Sequence, residues 1–195
     1  LSLQAVKMKE RIKEVFNESI QVKQKTIESS LEAIEKAVRI IIESLSNGGT
    51  VFVFGNGGSA ADAQHIAAEL IGKYYRLRKP LRALALTTNT SNLTAWSNDV
   101  GFESVFARQI AALGKPGDIA WGISTSGNSP NVLQALAQAA EMGLKTIGLT
   151  GEGGGTMKDM CDVLMAASSN DTPRIQEAHE TIYHIICELV EKELT

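Results

Sequence analysis

His65 and Glu69 are four residues apart, so they share one face wherever that stretch is helical. Gln176, Glu180 and His184 repeat the spacing further along the chain. Both groups interrupt apolar surroundings. His65 and Glu69 fall in a small, apolar stretch over residues 60–71, and His184 sits between Ile182 and the pair Ile185-Ile186. Polar groups in such surroundings are either paired or functional. Imidazole nitrogens together with carboxylate and amide oxygens can hold a zinc-like ion. An exposed pair at helical spacing is the plainer alternative. His179 is less distinctive and reads as a supporting or merely structural residue.

Two turns offer different chemistry. Gly55-Asn56-Gly57-Gly58-Ser59 follows the apolar run Val51-Phe52-Val53-Phe54 and precedes a helix-forming stretch at 60–73. Its glycines permit close backbone approach, and its amides with a helix N-terminus suit an anion. It is neither a Walker loop nor G-x-G-x-x-G, since position 60 is Ala and no Lys follows in the Walker position. Ser124-Thr125-Ser126-Gly127-Asn128-Ser129 carries four hydroxyls in six residues before another helix start. A helix cap needs only one of them. The excess points to a ligand rich in acceptor oxygens, such as a phosphomonoester, held by neutral donors and backbone. A tight turn and a plain Ser-rich turn are the alternatives.

The elements that must position these groups alternate. Apolar runs at 51–54, 81–86, 118–123, 145–149 and 163–166 read as strands, and helices are expected at 60–73, 130–142 and 173–194, with a short one ending at Met160. Strands apolar on both faces and separated by helices imply a three-layer α/β/α sandwich around a five-stranded parallel sheet. Ligands then bind at the carboxyl ends of the strands, where both turns fall. Ahead of the sheet, Val6, Ile12, Phe16 and Ile20 suggest one helix. Ile27, Leu31, Ile34, Val38, Ile41 and Leu45 form a heptad-like seam in a second, which Asn47-Gly48-Gly49 ends. This N-terminal helical pair, residues 1–47, is expected to pack on the core and on another subunit. No linker interrupts the rest, so residues 1–195 read as a single domain.

Nineteen basic and 22 acidic side chains give a net charge of −3, which argues against nucleic acid as a partner. No run approaches a membrane span. Residues 1–16 are charged and lack a signal-peptide core, and two cysteines make no disulfide framework, so a cytoplasmic location is expected.

The combination of Gly55-Asn56-Gly57-Gly58-Ser59, Asp62-Ala63-Gln64-His65 with Glu69-Leu70, Ser97-Asn98-Asp99 with Gly101-Phe102, the 122–129 turn, and Arg174-Ile175-Gln176-Glu177 with His179 and His184 resembles the phosphoheptose isomerases of the sugar isomerase (SIS) superfamily. The resemblance covers nearly the whole chain and is weakest over the first 45 residues. It implies a flavodoxin-like SIS fold and a cytoplasmic homotetramer with active sites at subunit interfaces. The implied reaction converts sedoheptulose 7-phosphate to D-glycero-D-manno-heptose 7-phosphate through an enediol. That step opens heptose supply for lipopolysaccharide core or other glycans. The resemblance further implies Glu69 and His184 as the acid/base pair and one zinc ion per subunit on His65, Glu69, Gln176 and His184. Substrate contacts would come from Asn56, Gly57, Gly58, Ser59, Glu69, Asn98, Asp99, Ser124, Thr125, Ser126, Ser129 and Gln176. Four residues depart from the family pattern: Asn89, Trp96, Trp121 and Pro173. Residues 10–21 also look similar to the start of a paralogue that binds the replication initiator DnaA as a non-catalytic scaffold. Such a scaffold has no need of Glu69 and His184, so the enzyme is the preferred expectation.

Overall fold

The computed structural model describes residues 3–195, with side chains from Val6 onward; Leu1 and Ser2 of the expected N-terminal segment lie outside the described residues. Five parallel strands form the sheet: β1 (Val51–Gly55), β2 (Ala83–Ala85), β3 (Ile119–Ser124), β4 (Lys145–Thr150) and β5 (Val163–Ala166), in the order β2-β1-β3-β4-β5. The helices are α1 (Leu3–Ser46), α2 (Gly58–Ile71), α3 (Thr90–Asp99), α4 (Val105–Leu113), α5 (Pro130–Glu141) and α6 (Thr172–Glu193), with 3₁₀ turns at Phe102–Ser104 and Gly155–Asp159.

Alternation along β1 explains the three layers. Val51 and Val53 face one core with Ile41, Ile66, Leu70, Tyr183 and Ile186, so α1, α2 and α6 cover that side. Phe52 and Phe54 face the other core with Phe106, Ile110, Val132 and Leu136, covered by α4 and α5. Trp121, one of the departures from the family pattern, is fully buried in the first core and acts there as packing.

The expected N-terminal helical pair is instead one continuous helix of 44 residues, ~66 Å long at 1.5 Å per residue. No Gly or Pro occurs between Leu3 and Ser46 to break it. Its buried face is also rotated from the expected seam. Ile34, Val38 and Ile41 are buried, but Ile27 and Leu31 face outward, and Thr26 and Ser30 turn inward instead. They do so because the end of β5 presents backbone groups there: Ser30 Oγ donates to the Ala166 carbonyl at 3.0 Å, and the Ser168 N–H donates to Thr26 Oγ1 at 3.0 Å. Val6, Ile12, Phe16, Ile20, Ile27 and Leu31 leave an exposed apolar row along α1, with Phe16 68% exposed.

Between β2 and β3 the structure adds α3 and α4, which the apolar patterning does not announce. α3 has no buried residue, so nothing apolar marks it; Asn89, a second departure, starts it by accepting the Asn92 N–H at 3.0 Å. Among the described residues no helix is long and apolar enough to cross a membrane.

Candidate active site

The strand order reverses direction between β1 and β3, which are paired through Gly55 and Ile123. The chain leaves β1 into α2 on one face and β3 into α5 on the other, which opens a crevice at the carboxyl edge. The two turns flanking it are stitched together by a reciprocal amide pair. Asn56 Nδ2 donates to Asn131 Oδ1 at 2.9 Å, and Asn131 Nδ2 returns a bond to Asn56 Oδ1 at 2.8 Å. Neither α2 nor α5 has a side-chain cap: Gly57 has none to offer, and Ser129 Oγ pairs with Ser124 Oγ at 2.9 Å instead. Ser126 Oγ accepts the Asn128 N–H at 3.2 Å and lies 3.4 Å from Ser124 Oγ. Gly127, at φ +66°, closes this turn tightly against the Gly154 backbone, where a Cβ would collide.

The second part of the site lies between α2 and α6. Asp62, His65 and Glu69 line up along α2, and Gln176, Glu180, Tyr183 and His184 along α6. His65 Nε2 meets Glu69 Oε1 at 3.2 Å, while Tyr183 Oη meets His65 Nδ1 at 3.0 Å. The His65 and His184 rings stand edge to face with centroids 5.0 Å apart. Ligand atoms of His65, Glu180 and His184 lie within 4.8 Å of one another. An open cavity of about 420 Å³ beside them is lined by Gly58, Asp62, His65, Gln176, Glu180 and Tyr183, with Pro173 at its rim. Gly58 lets the Gln176 carboxamide lie directly over it; a Cβ there would displace that side chain. Pro173, a third departure, occupies the first turn of α6, where its missing N–H costs nothing.

Charge in this region is set by burial and neighbours. Burial pushes the Asp62 carboxyl up to about 6, the facing Glu180 adds to the rise, and His65 and Tyr183 partly offset it. Asp62 Oδ2 is buried without a hydrogen-bond partner. Burial, and then Asp62, raise the Tyr183 phenol, so it keeps its proton. The far ends of both helices are tied by Arg78. Its guanidinium donates to the Glu69 and Leu70 carbonyls, each at 2.9 Å, and to Glu191 Oε1 at 3.1 Å. Burial alone would raise the Glu191 carboxyl, but the N–H groups of Tyr74, Tyr75 and Arg76, followed by Arg78, hold it below its usual value.

The structure therefore brings Glu69 to His65, His65 to His184, and Gln176 to Gly58, and it joins Ser124 with Ser126 and Ser129. Of the expected metal donors, His65 and His184 stand together, and among the described carboxylates Glu180 offers an oxygen within 4.8 Å of a nitrogen on each ring. Glu180 lies on the expected helix face, one turn before His184. Thr125 contributes its carbonyl to the Gly151 N–H at 3.0 Å, and Ser59 is buried at the start of α2. Asn98 and Asp99 are elsewhere, bonded to each other at 2.9 Å on exposed α3. Among the described residues they share no hydrogen bond with the two turns or the imidazole cluster. Trp96, the fourth departure, lies in α3 as well; its Nε1 donates to Ser104 Oγ at 2.8 Å, and the Arg108 guanidinium covers its ring at 4.6 Å. His179 is a core residue: its Nε2 meets the Thr150 carbonyl at 2.9 Å, and burial lowers it to about 4, so it stays neutral. The patterning missed Tyr183, whose place among isoleucines marks it as core, and Asp62, whose spacing of three from His65 was the available signal.

A family model described as a SIS domain matches residues 15–151. The phosphoheptose isomerase of Aliarcobacter butzleri is 54% identical over 171 residues, covering 88% of this chain and 90% of its own. That of Aquifex aeolicus is 50% identical over 185 residues, covering 95% and 97%. The solved phosphoheptose isomerase of Neisseria gonorrhoeae superposes with a TM-score of 0.90 at 44% identity, covering 95% of this chain and 99% of its own. These relatives carry an isomerase's name, and nothing in them favours the DnaA-binding scaffold. The shared fold, the high identity over nearly the full length and the SIS match place this chain in the phosphoheptose isomerase family, a family of isomerases.

Proposed function

We propose that the protein interconverts sedoheptulose 7-phosphate and D-glycero-D-manno-heptose 7-phosphate. The observation that carries this reading is the imidazole–carboxylate cluster between α2 and α6, whose cavity reaches Gly58 of the first turn. The names of the relatives supply the seven-carbon substrate.

In this reading Glu69 removes a proton from C1 of the ketose and returns it to C2, through an enediol, so the carbonyl moves from C2 to C1. His184 exchanges protons with the sugar oxygens as they gain and lose them. Ser124, Thr125, Ser126 and Ser129 receive the phosphate at the open N-terminus of α5. Asn56, Gly57, Gly58, Ser59 and Gln176 contact the sugar chain. Asn98 and Asp99 join the site from another subunit of a homotetramer. The absence of any fully buried residue in α3 and the apolar row on α1 support that assembly, with residues 1–47 as its main contact.

Two imidazoles and a carboxylate within 4.8 Å are a donor set that suits zinc, one ion per subunit. His65 and His184 would hold it, with Glu180 and with Glu69 and Gln176 as further donors. When bound, such an ion polarises a carbonyl oxygen. A cytoplasmic location and a role in heptose precursor supply for glycans complete the reading; the free thiols of Cys161 and Cys187 are compatible with a reducing compartment.

The test is incubation with sedoheptulose 7-phosphate, with shorter ketose phosphates as controls. The expected result is formation of the aldose, with solvent hydrogen at C2 to the extent that the Glu69 proton exchanges with water before it is returned. No conversion by folded, zinc-supplied protein, or faster conversion of a shorter ketose, would overturn the substrate assignment.

A further inference from the structure

Tyr183 is 1% exposed, and its ring packs edge-on against both His65, at 5.4 Å, and His184, at 4.8 Å. Packing of that kind would be served equally by Phe. The hydroxyl is what Phe lacks, and it is spent on His65 Nδ1 at 3.0 Å. The other His65 nitrogen faces Glu69 at 3.2 Å. A carboxylate only accepts, so this contact requires a proton on Nε2, and Nδ1 must then accept from the phenol. The same ring and Asp62, a carboxyl with one buried oxygen that has no partner, line one cavity. A hydroxyl rotates freely between an acceptor nitrogen and a carboxylate. A histidine that gives its Nε2 lone pair to a cation must carry its proton on Nδ1 and donate it to something. The phenol, turned toward Asp62, is positioned to accept it.

We infer that Tyr183 is a positioning residue that sets which nitrogen of His65 carries the proton, donating to Nδ1 when Nε2 faces Glu69 and turning to Asp62 when Nε2 serves as a ligand. The metal half of this inference rests on the proposed zinc site; the proton placement does not. Tyr183→Phe removes only the hydroxyl, and Asp62→Asn removes the carboxylate that receives it.

Nitrogen-15 NMR of the histidine side chains, on full-length protein with and without added zinc, reads the proton's position directly. Metal-free wild type is expected to carry it on Nε2 of His65, and zinc to shift it to Nδ1. Tyr183→Phe is expected to lose the metal-free preference and to bind zinc ~10–100-fold more weakly in chelator competition, the range typical for partners of metal-bound histidines. Asp62→Asn is expected to leave the metal-free state intact and weaken zinc by a smaller factor. An unchanged proton position and unchanged zinc affinity in folded Tyr183→Phe would overturn the inference. If that variant fails to fold, wild-type zinc affinity in Asp62→Asn overturns it instead. Because the metal-free spectrum needs neither turnover nor zinc, a failed isomerase assay leaves this result readable on its own.

Discussion

The hydroxyl turn is built from six consecutive residues, 124–129, whereas the imidazole cluster joins His65 to Tyr183, 118 positions away. The turn is held by bonds among its own members, Ser124 to Ser129 and Ser126 to Asn128, so its donors are in place once β3 and α5 exist. None of its members is charged, so no side-chain titration within the turn alters its donors. In the cluster, the Asp62 carboxyl is raised by burial and by Glu180, and His65 is held by Tyr183 from the opposite helix. On the proposed function, substrate binding would rest on local backbone geometry, and reactivity on the packing of α2 against α6.

That division is open to attack from both sides. The largest effect is expected at the cluster. Glu69→Gln and His184→Ala should each lower turnover by ~10²–10⁴-fold, the range of a positioned acid or base, with circular dichroism unchanged. Near-normal turnover in either variant would detach reactivity from that helix pair. The turn should behave differently. Ser124→Ala or Ser126→Ala should weaken the phosphosugar by about tenfold, near the ~1 kcal/mol scale of one hydrogen bond, with kcat little changed. A loss confined to kcat would mean the hydroxyls act in the chemistry and would erase the contrast.

The smallest effect concerns His179, which is buried against the end of β4 with its Nε2 at the Thr150 carbonyl. Its folded pKa of about 4 lies below the ordinary 6.5, so the unfolded chain binds this proton more readily. The stability it confers is complete above pH 6.5 and is lost as pH falls through 4. Urea midpoints should fall less steeply across that window in His179→Gln than in wild type. Parallel profiles would mean that His179 is not kept neutral by burial.

Strands and glycine turns were legible because apolar runs bounded by Gly, Asn and Ser have few other uses in a chain of this composition. β1 and β3 lie where the runs place them, and α5 and α6 begin within a residue of their prolines. α3 escaped because it offers only Leu93 and Trp96, both partly buried, to the core, and amphipathic patterning detects only what burial selects. The N-terminal pair became one helix because periodicity shows which face is apolar, not whether the helix stops between two apolar stretches. Likewise Glu180 and His184 share a face by spacing, yet only the approach of α2 brings His65 within 4.8 Å of both.

What the residue order settles alone is local: where strands give way to turns, which residues line each turn, and that His65 with Glu69 and Glu180 with His184 share helix faces. These follow from backbone periodicity and from the dihedral freedom of glycine, which act over a few residues. Tertiary packing decided the rest. It brought Tyr183 to His65, buried Asp62 against Glu180, turned Thr26 and Ser30 of α1 toward β5, and left Asn98 and Asp99 away from the cluster. Distances between helices, and the desolvation they impose, depend on contacts that no spacing along the chain encodes.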